Sequence, residues 1–414
     1  MGALRALHRR SLIDHDRYAP HQAARVHQLI QRATRDTLTF EQHTQYARTA
    51  ADALMDAWPE IERDTALAQA LRANTTALTT HAEDALYRPA AHKALQRTGA
   101  SLGECGQVTA AINHCQYLAT TARRRLGPDH PDTLAARHSF AHWRGKAGDP
   151  AGAADALAEL LDDTLRVLGP DHPDTLITRH RLAGWRGEAG DATGAAAAFA
   201  ELLAARLRLL GPDHPDTLAA RHSFAHWQGH KGDAAGAVVG FRELLADRVR
   251  VLGPEHPDAL STRQLLAYWL GEVEDVAEAA AITSELLAFR LRVLGPDHPH
   301  TLATRHNFVH WRGQSGDAAG AITGYEDLLA DRIRLLGSDH PHTLATRHNL
   351  AWWQGKAGDA AKAVATYAEL LEDRQRVLGP DHLDTLTTQR NLVHWQREAE
   401  RTARPSTAVE RQKP

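Results

Sequence analysis

The stretch Leu126–Val167 reads LGPDHPDTLAARHSFAHWRGKAGDPAGAADALAELLDDTLRV, and its opening nine residues return in closely similar form at Leu168, Leu210, Leu252, Leu294, Leu336 and Leu378. The spacing is 42 residues each time. Trp143, Trp185, Trp227, Trp269, Trp311, Trp353 and Trp395 keep the same interval, so seven of the nine tryptophans occupy one position of a repeated unit. Such a period marks stacked supersecondary units, each too small to bury its own apolar face and completed by its neighbours.

The punctuation of the unit predicts two helices. Gly127 and Pro128 stop the preceding helix, Pro131 suits a first helical position, and Asp132 favours the positive N-terminal end. Helix A therefore opens near Pro131. Gly148 supplies a left-handed C-terminal residue, Asp149 caps the next N-terminus, and Pro150 opens helix B, which runs to about Leu168. Each helix is about 16 to 18 residues and near 25 Å long, and so short a connection makes the pair antiparallel.

On helix A, Ala136, Phe140, Trp143 and Ala147 share one flank and Leu134 and Ala141 another. Between them runs a stripe of His138, His142 and Gly145, edged by Lys146, which neither flank requires for packing. Helix B offers Ala153, Leu157, Leu160, Leu161 and Leu165, and the small Ala153 recurs as Ala195, Ala237, Ala279, Ala321 and Ala363, letting helices approach closely.

The order HPD, Leu-Ala or Phe-Ala, a Gly-Asp break, then Ala, an aromatic such as Phe199, Phe241, Tyr325 or Tyr367, and Leu-Leu resembles the 42-residue tetratricopeptide repeat of kinesin-light-chain type over residues 126–397. The resemblance implies an all-α, right-handed superhelix whose concave side binds a protein segment. The chain departs from that pattern at Arg137, Arg179, Arg221, Arg263, Arg305 and Arg347, where bulky apolar residues are usual, and has Gln389 in the last unit. Each complete unit also has an acid on helix B: Glu159, Glu201, Glu243, Glu285, Asp327 and Glu369. The expectation is an ion pair between the two helices of a unit; the alternative is a line of guanidiniums that receives phosphates or carboxylates of a partner.

Histidine is abundant, with 27 copies. His138 with His142, His222 with His226, and His306 with His310 stand one helical turn apart, whereas Gly184, Tyr268 and Trp352 precede the tryptophan in the alternate units. Such pairs can bind a divalent metal, but no third ligand stands at the needed offset. A pH-responsive face is a further option, and contact with a peptide is the reading preferred. The Asp-His-Pro histidines, His130 and its six counterparts, are assigned a structural role at helix entrances.

Composition narrows the classes. A formal charge of -3 gives no field to gather nucleic acid or an anionic membrane, and no apolar run spans a bilayer. The start lacks a secretory core, and Cys105 and Cys115 form neither a zinc nor a redox motif, so the expected compartment is the cytoplasm and both thiols are read as packing residues. No catalytic constellation stands apart from the repeats.

Residues 85–125 keep the glycine spacing of the unit and read as a degenerate capping repeat; 38–84 reads as a connector of two or three helices. Residues 1–37 read as helix, two short strands and helix, and resemble the tail of the winged-helix domain of STAND or NB-ARC ATPases, with Val26-His27-Gln28 at the place of that family's Met-His-Asp-like motif. No phosphate-binding loop accompanies them, so a remnant is expected. Residues 398–414 read as a polar, disordered tail. The function expected is a non-enzymatic scaffold, without cofactor or metal, that binds a protein or peptide through His138, His142, Lys146, His222, His226, His230, Tyr268, His306, His310 and Trp352. The alternatives are the sensor or recruitment arm of a STAND-type ATPase and, last, a histidine-dependent metal-binding protein.

Overall fold

A computed structural model describes residues 7–8, 10, 12–15 and 24–403. The chain divides into two compact units, Met1–Leu209 and Leu210–Pro414. In the first, strands β1 (Ile13–His15) and β2 (Ala24–Val26) pair antiparallel with Ile13 opposite Val26. Helices α1 (Gln28–Asp36), α2 (Phe40–Ala57), α3 (Thr65–Leu86), α4 (Lys93–Glu104), α5 (Val108–Leu126), α6 (Pro131–Lys146), α7 (Pro150–Leu168), α8 (Pro173–Glu188) and α9 (Ala192–Leu210) follow. The second holds α10 (Pro215–His230), α11 (Ala234–Leu252), α12 (Pro257–Glu272), α13 (Val276–Leu294), α14 (Pro299–Gln314), α15 (Ala318–Leu336), α16 (Pro341–Lys356), α17 (Ala360–Leu378) and α18 (Leu383–Ala403). In the first unit the helices from α4 to α8, and in the second those from α10 to α18, each pack against their chain neighbours there, so the architecture is a stack of helical hairpins. Among the described residues no helix is long and apolar enough to cross a membrane.

Helix entrances follow the sequence punctuation. His130 Nδ1 accepts the Asp132 N–H at 3.1 Å, and His172, His214, His256, His298, His340 and His382 cap their helices identically at 3.1–3.2 Å. Proline at the first helical position removes one N–H that would lack a partner, and the imidazole satisfies the next. Helix B is entered through an aspartate, as where Asp149 accepts the Gly152 N–H at 2.8 Å. The hairpin turn needs a positive φ: Gly148 has +94°, whereas the fourth repeat places Glu274 there at +65°.

Two small residues set the packing. Ala153, Ala195, Ala237, Ala279, Ala321 and Ala363 are fully buried, as the close-approach reading requires. Gly145 is buried as well, and a Cβ on it would stand 2.6 Å from the indole of Trp185. The same meeting recurs between Gly103 and Trp143, Gly229 and Trp269, Gly271 and Trp311, Gly313 and Trp353, and Gly355 and Trp395. Gly145 therefore belongs to the repeat interface and not to the free stripe where the sequence placed it. The ring of one repeat lies on the bare backbone of the previous helix A, which only glycine allows.

At the ends the outcome is mixed. The connector is two helices, α2 and α3, and His27 is occupied in capping α1, its Nδ1 accepting from the Leu29 N–H at 3.2 Å. The helix expected at the start falls largely outside the described residues. Helix α18 continues to Ala403, so residues 398–403 are helical and not part of a disordered tail; Arg397, Glu400 and Arg401 replace the stop signals of the other units, and Arg401 pairs with Glu398 at 2.8 Å. Residues 404–414 lie outside the described part.

Candidate partner-binding face

Helices A of successive repeats approach one another: α4 with α6 and α6 with α8 in the first unit, α14 with α16 and α16 with α18 in the second. Helices B show no comparable approach among the described residues. The A side is thus the crowded, inner side of each stack, and the histidine-bearing stripe lies on helix A.

The stripe has two layers. Of the first members of each pair, His222 and His306 turn toward helix B, and His138 is half-buried. His222 meets Phe241 edge-on at 5.4 Å and its Nδ1 faces Arg248 at 3.3 Å; His306 meets Tyr325 at 5.2 Å and faces Arg332 at 3.4 Å. Burial first, then adjacent cations, depresses these imidazoles, to about 4 for His138 and His222 and about 3 for His306. They are neutral packing residues at pH 7, so the expectation that packing does not need them is corrected.

The second layer lies closer to solvent. His142, His226 and His310 each meet the following tryptophan edge-on, at 4.9, 5.0 and 4.8 Å. His142 and His310 also approach the tryptophan of the next repeat, Trp185 and Trp353, at 6.5 and 6.2 Å. His230, exposed, stands 4.4 Å from His226 and 5.2 Å from Trp269. Lys146 is exposed and Tyr268 is 41% exposed. Trp352 is half-buried; it stacks on His394 at 6.2 Å, with the Lys356 ammonium 5.2 Å from its ring centre. The sequence reading passed over His394, although it precedes Trp395 as His142 precedes Trp143.

The arginines of helix A find acids, but one turn beyond those expected. Arg137, Arg221, Arg305 and Arg347 bond to Asp163, Asp247, Asp331 and Asp373 at 2.5–2.6 Å. Glu243 and Glu369 only graze their arginines, at 3.9 and 3.7 Å. In the second and fourth repeats that aspartate is Ala205 or Phe289, and among the described residues Arg179 and Arg263 make no ion pair. The expected ion pair between helices A and B is present in four repeats, but its main acid is the aspartate one turn beyond Glu159 and its counterparts.

A second ladder went unread. Arg206, Arg248, Arg290, Arg332 and Arg374 on helix B are only 3–5% exposed. From Arg248 on, each donates to a first-turn carbonyl of the next helix A (Asp258, His300, His342, Asp384) and to a threonine one turn later (Thr262, Thr304, Thr346, Thr388). These contacts tie repeat to repeat. The 42-residue interval signalled them, but a charge near a helix C-terminus reads as a solvated one.

Cys115 is buried, which pushes its thiol up to about 11, while Cys105 is exposed and so is not the packing residue expected. Among the described residues no group of three or more His, Cys, Asp or Glu is arranged to hold a metal ion.

Family models described as tetratricopeptide repeat match residues 133–174, 175–216, 217–258 and 259–300, and another matches 308–372, together more than half of the chain. The chain belongs to the tetratricopeptide repeat family. No curated protein matches this tetratricopeptide repeat chain. Similar solved structures include kinesin-light-chain, nearly identical TPR-like repeats from Podosopora anserina, at 24% identity and TM-score 0.46 over 50% of this chain and 97% of that one. A tetratricopeptide repeat protein from Parabacteroides merdae aligns at 12% identity and TM-score 0.50 over 73% and 98%. A STAND protein with a tetratricopeptide repeat sensor from Pyrococcus horikoshii aligns at 10% identity and TM-score 0.52; 95% of this chain covers 60% of that protein. At these identities the likeness concerns the fold.

Proposed function

We propose that this chain is a non-enzymatic scaffold that binds a protein or peptide segment on the helix A face, with Tyr268 and Trp352 as anchors and His142, His226, His230, His310 and Lys146 beside them. The carrying observation is the solvent access of Tyr268 and Trp352 on the inner side of the second unit, next to tryptophans that are 4–5% exposed. Aromatic side chains offer large contact area at small entropic cost and dominate binding when a partner covers them. His138, His222 and His306 support the face from beneath.

The test is parallel affinity capture from the native host with wild type, Tyr268→Ala/Trp352→Ala, and Val239→Ala, whose side chain is exposed on helix B. The double variant is expected to lose partners that the other two retain. Identical partners for all three would refute the reading. A role as the sensing arm of a STAND-type ATPase is a special case of it, supported by the Val26-His27-Gln28 resemblance and by fold-level likeness to one such protein.

A further inference from the structure

The first turn of helix A holds an aspartate in most repeats, at Asp174, Asp216, Asp258 and Asp384, but a histidine at His300 and His342. The exchange matters because Asp258, His300, His342 and Asp384 each receive, on the backbone carbonyl, a hydrogen bond from a buried arginine of the preceding helix B. Burial works against the charge of every one of these guanidiniums; Asp258 offsets it for Arg248 and Asp384 for Arg374. No carboxylate does so for Arg290 or Arg332. Arg332 is 4% exposed, makes no ion pair among the described residues, and its Nε has no hydrogen-bond partner. Arg248 and Arg374 share that orphaned Nε and likewise make no ion pair among the described residues, so Arg332 differs from them in having a histidine and not an aspartate on the first turn of the next helix A.

A cavity of about 480 Å3 opens at this place in the second unit. Arg332, His306, His340, His342, Asn307 and Gln264 supply its polar lining, and Leu302, Ala303 and Leu335 its apolar walls. Gln264 accepts from Arg290 at 3.0 Å, which brings the second uncompensated cation to the cavity edge. The single carboxylate in the lining, Asp297, is held by Arg334 at 2.7 and 3.3 Å. His340 Nδ1 accepts the His342 N–H at 3.1 Å, so in the neutral ring Nε2 carries the proton and is a donor. His306 Nδ1 faces Arg332 at 3.4 Å, and its Nε2 accepts from the Asn349 amide nitrogen at 2.8 Å.

We propose that this cavity is a binding site for a small organic oxyanion, a carboxylate or a phosphate ester, whose charge takes the place of the aspartate that the other repeats provide, with Arg332 as its cation and His340 and His342 as donors. Buried guanidinium and imidazole N–H groups form their strongest hydrogen bonds to such oxygens. An apolar-walled cavity of this size suits a small ligand and not a bare ion. The site is separate from the anchors Tyr268 and Trp352.

The full chain is titrated calorimetrically with citrate and, separately, with glycerol 3-phosphate, at constant ionic strength and pH 7.5. The comparison is His300→Asp/His342→Asp, which restores what Asp258 and Asp384 already are in the same fold; His342→Asp alone, a change at one exposed side chain, is the second variant. Wild type is expected to bind at least one probe saturably, and both variants to bind it about tenfold more weakly or worse. Binding of citrate only identifies a carboxylate ligand, and binding of glycerol 3-phosphate only a phosphate ester. No saturable binding of either probe, or equal affinity in wild type and His342→Asp, overturns the proposal. No peptide enters the experiment, so it can fail while the scaffold reading stands, and the reverse.

Discussion

The indole of Trp353 lies against Gly313 in the preceding helix A, so near that a Cβ there would stand 2.6 Å from its ring. One repeat is thereby keyed into the next. Gly313→Ala must displace either the ring or the helix, and overpacking of this kind costs about 3 kcal/mol. Gly184, helical with nothing within 4 Å of its would-be Cβ, provides the control. Gly184→Ala is expected to be neutral or stabilising by up to about 1 kcal/mol. Urea midpoints of the two variants test the pair, and equal midpoints would remove the keying argument.

Glu274 occupies at φ +65° a turn position that glycine holds in the other hairpins. A side chain in the left-handed region carries a penalty of about 1 kcal/mol. Glu274→Gly should raise the thermal midpoint despite removing every side-chain atom. A lowered midpoint would show that the glutamate makes a compensating contact.

Asp331 accepts from Arg305 at 2.6 Å and from Arg334 at 3.0 Å, whereas the exposed Asp327 makes no ion pair among the described residues. Asp331→Ala leaves a half-buried arginine without its acid and is expected to cost about 1–2 kcal/mol. Asp327→Ala should stay within about 0.5 kcal/mol. Chemical denaturation distinguishes them, and a larger loss for Asp327→Ala would reinstate the pairing inferred from sequence.

Stability should fall from near neutral pH. Burial, reinforced by neighbouring cations, holds His138, His222 and His348 at about 4 and His306 at about 3. Unfolded imidazoles bind protons below about 6.5. Between those values the unfolded chain takes up protons that the folded one refuses, so stability is complete above pH 7 and declines as the pH falls toward 4. Each of these histidines removes on the order of 1 kcal/mol per pH unit in that window. Asp163, Asp247, Asp331 and Asp373, held low by hydrogen bonds from their arginines, add a separate loss only below about 4. Urea midpoints at pH 7.5, 6 and 5 check the sign; a flat profile down to pH 5 would contradict the buried, neutral histidines.

The 42-residue interval by itself determined that the chain is a stack of helical hairpins, about where the helices of each complete repeat begin and end, and which small residues allow close approach. These are local matters. Proline, histidine and aspartate caps and positive-φ glycines act within four residues of themselves, so they are legible without a partner helix. The candidate face was legible only as a periodicity. Sequence spacing grouped His138, His142 and Gly145 as one stripe, but tertiary packing buried much of His138, set His142 beside two tryptophans, and placed Gly145 beneath Trp185. It also selected Asp163 over Glu159 for Arg137 and buried the arginines that follow on helix B. Which of two acids one turn apart meets a given arginine depends on the crossing angle and offset of two helices, and a repeat pattern carries no record of either.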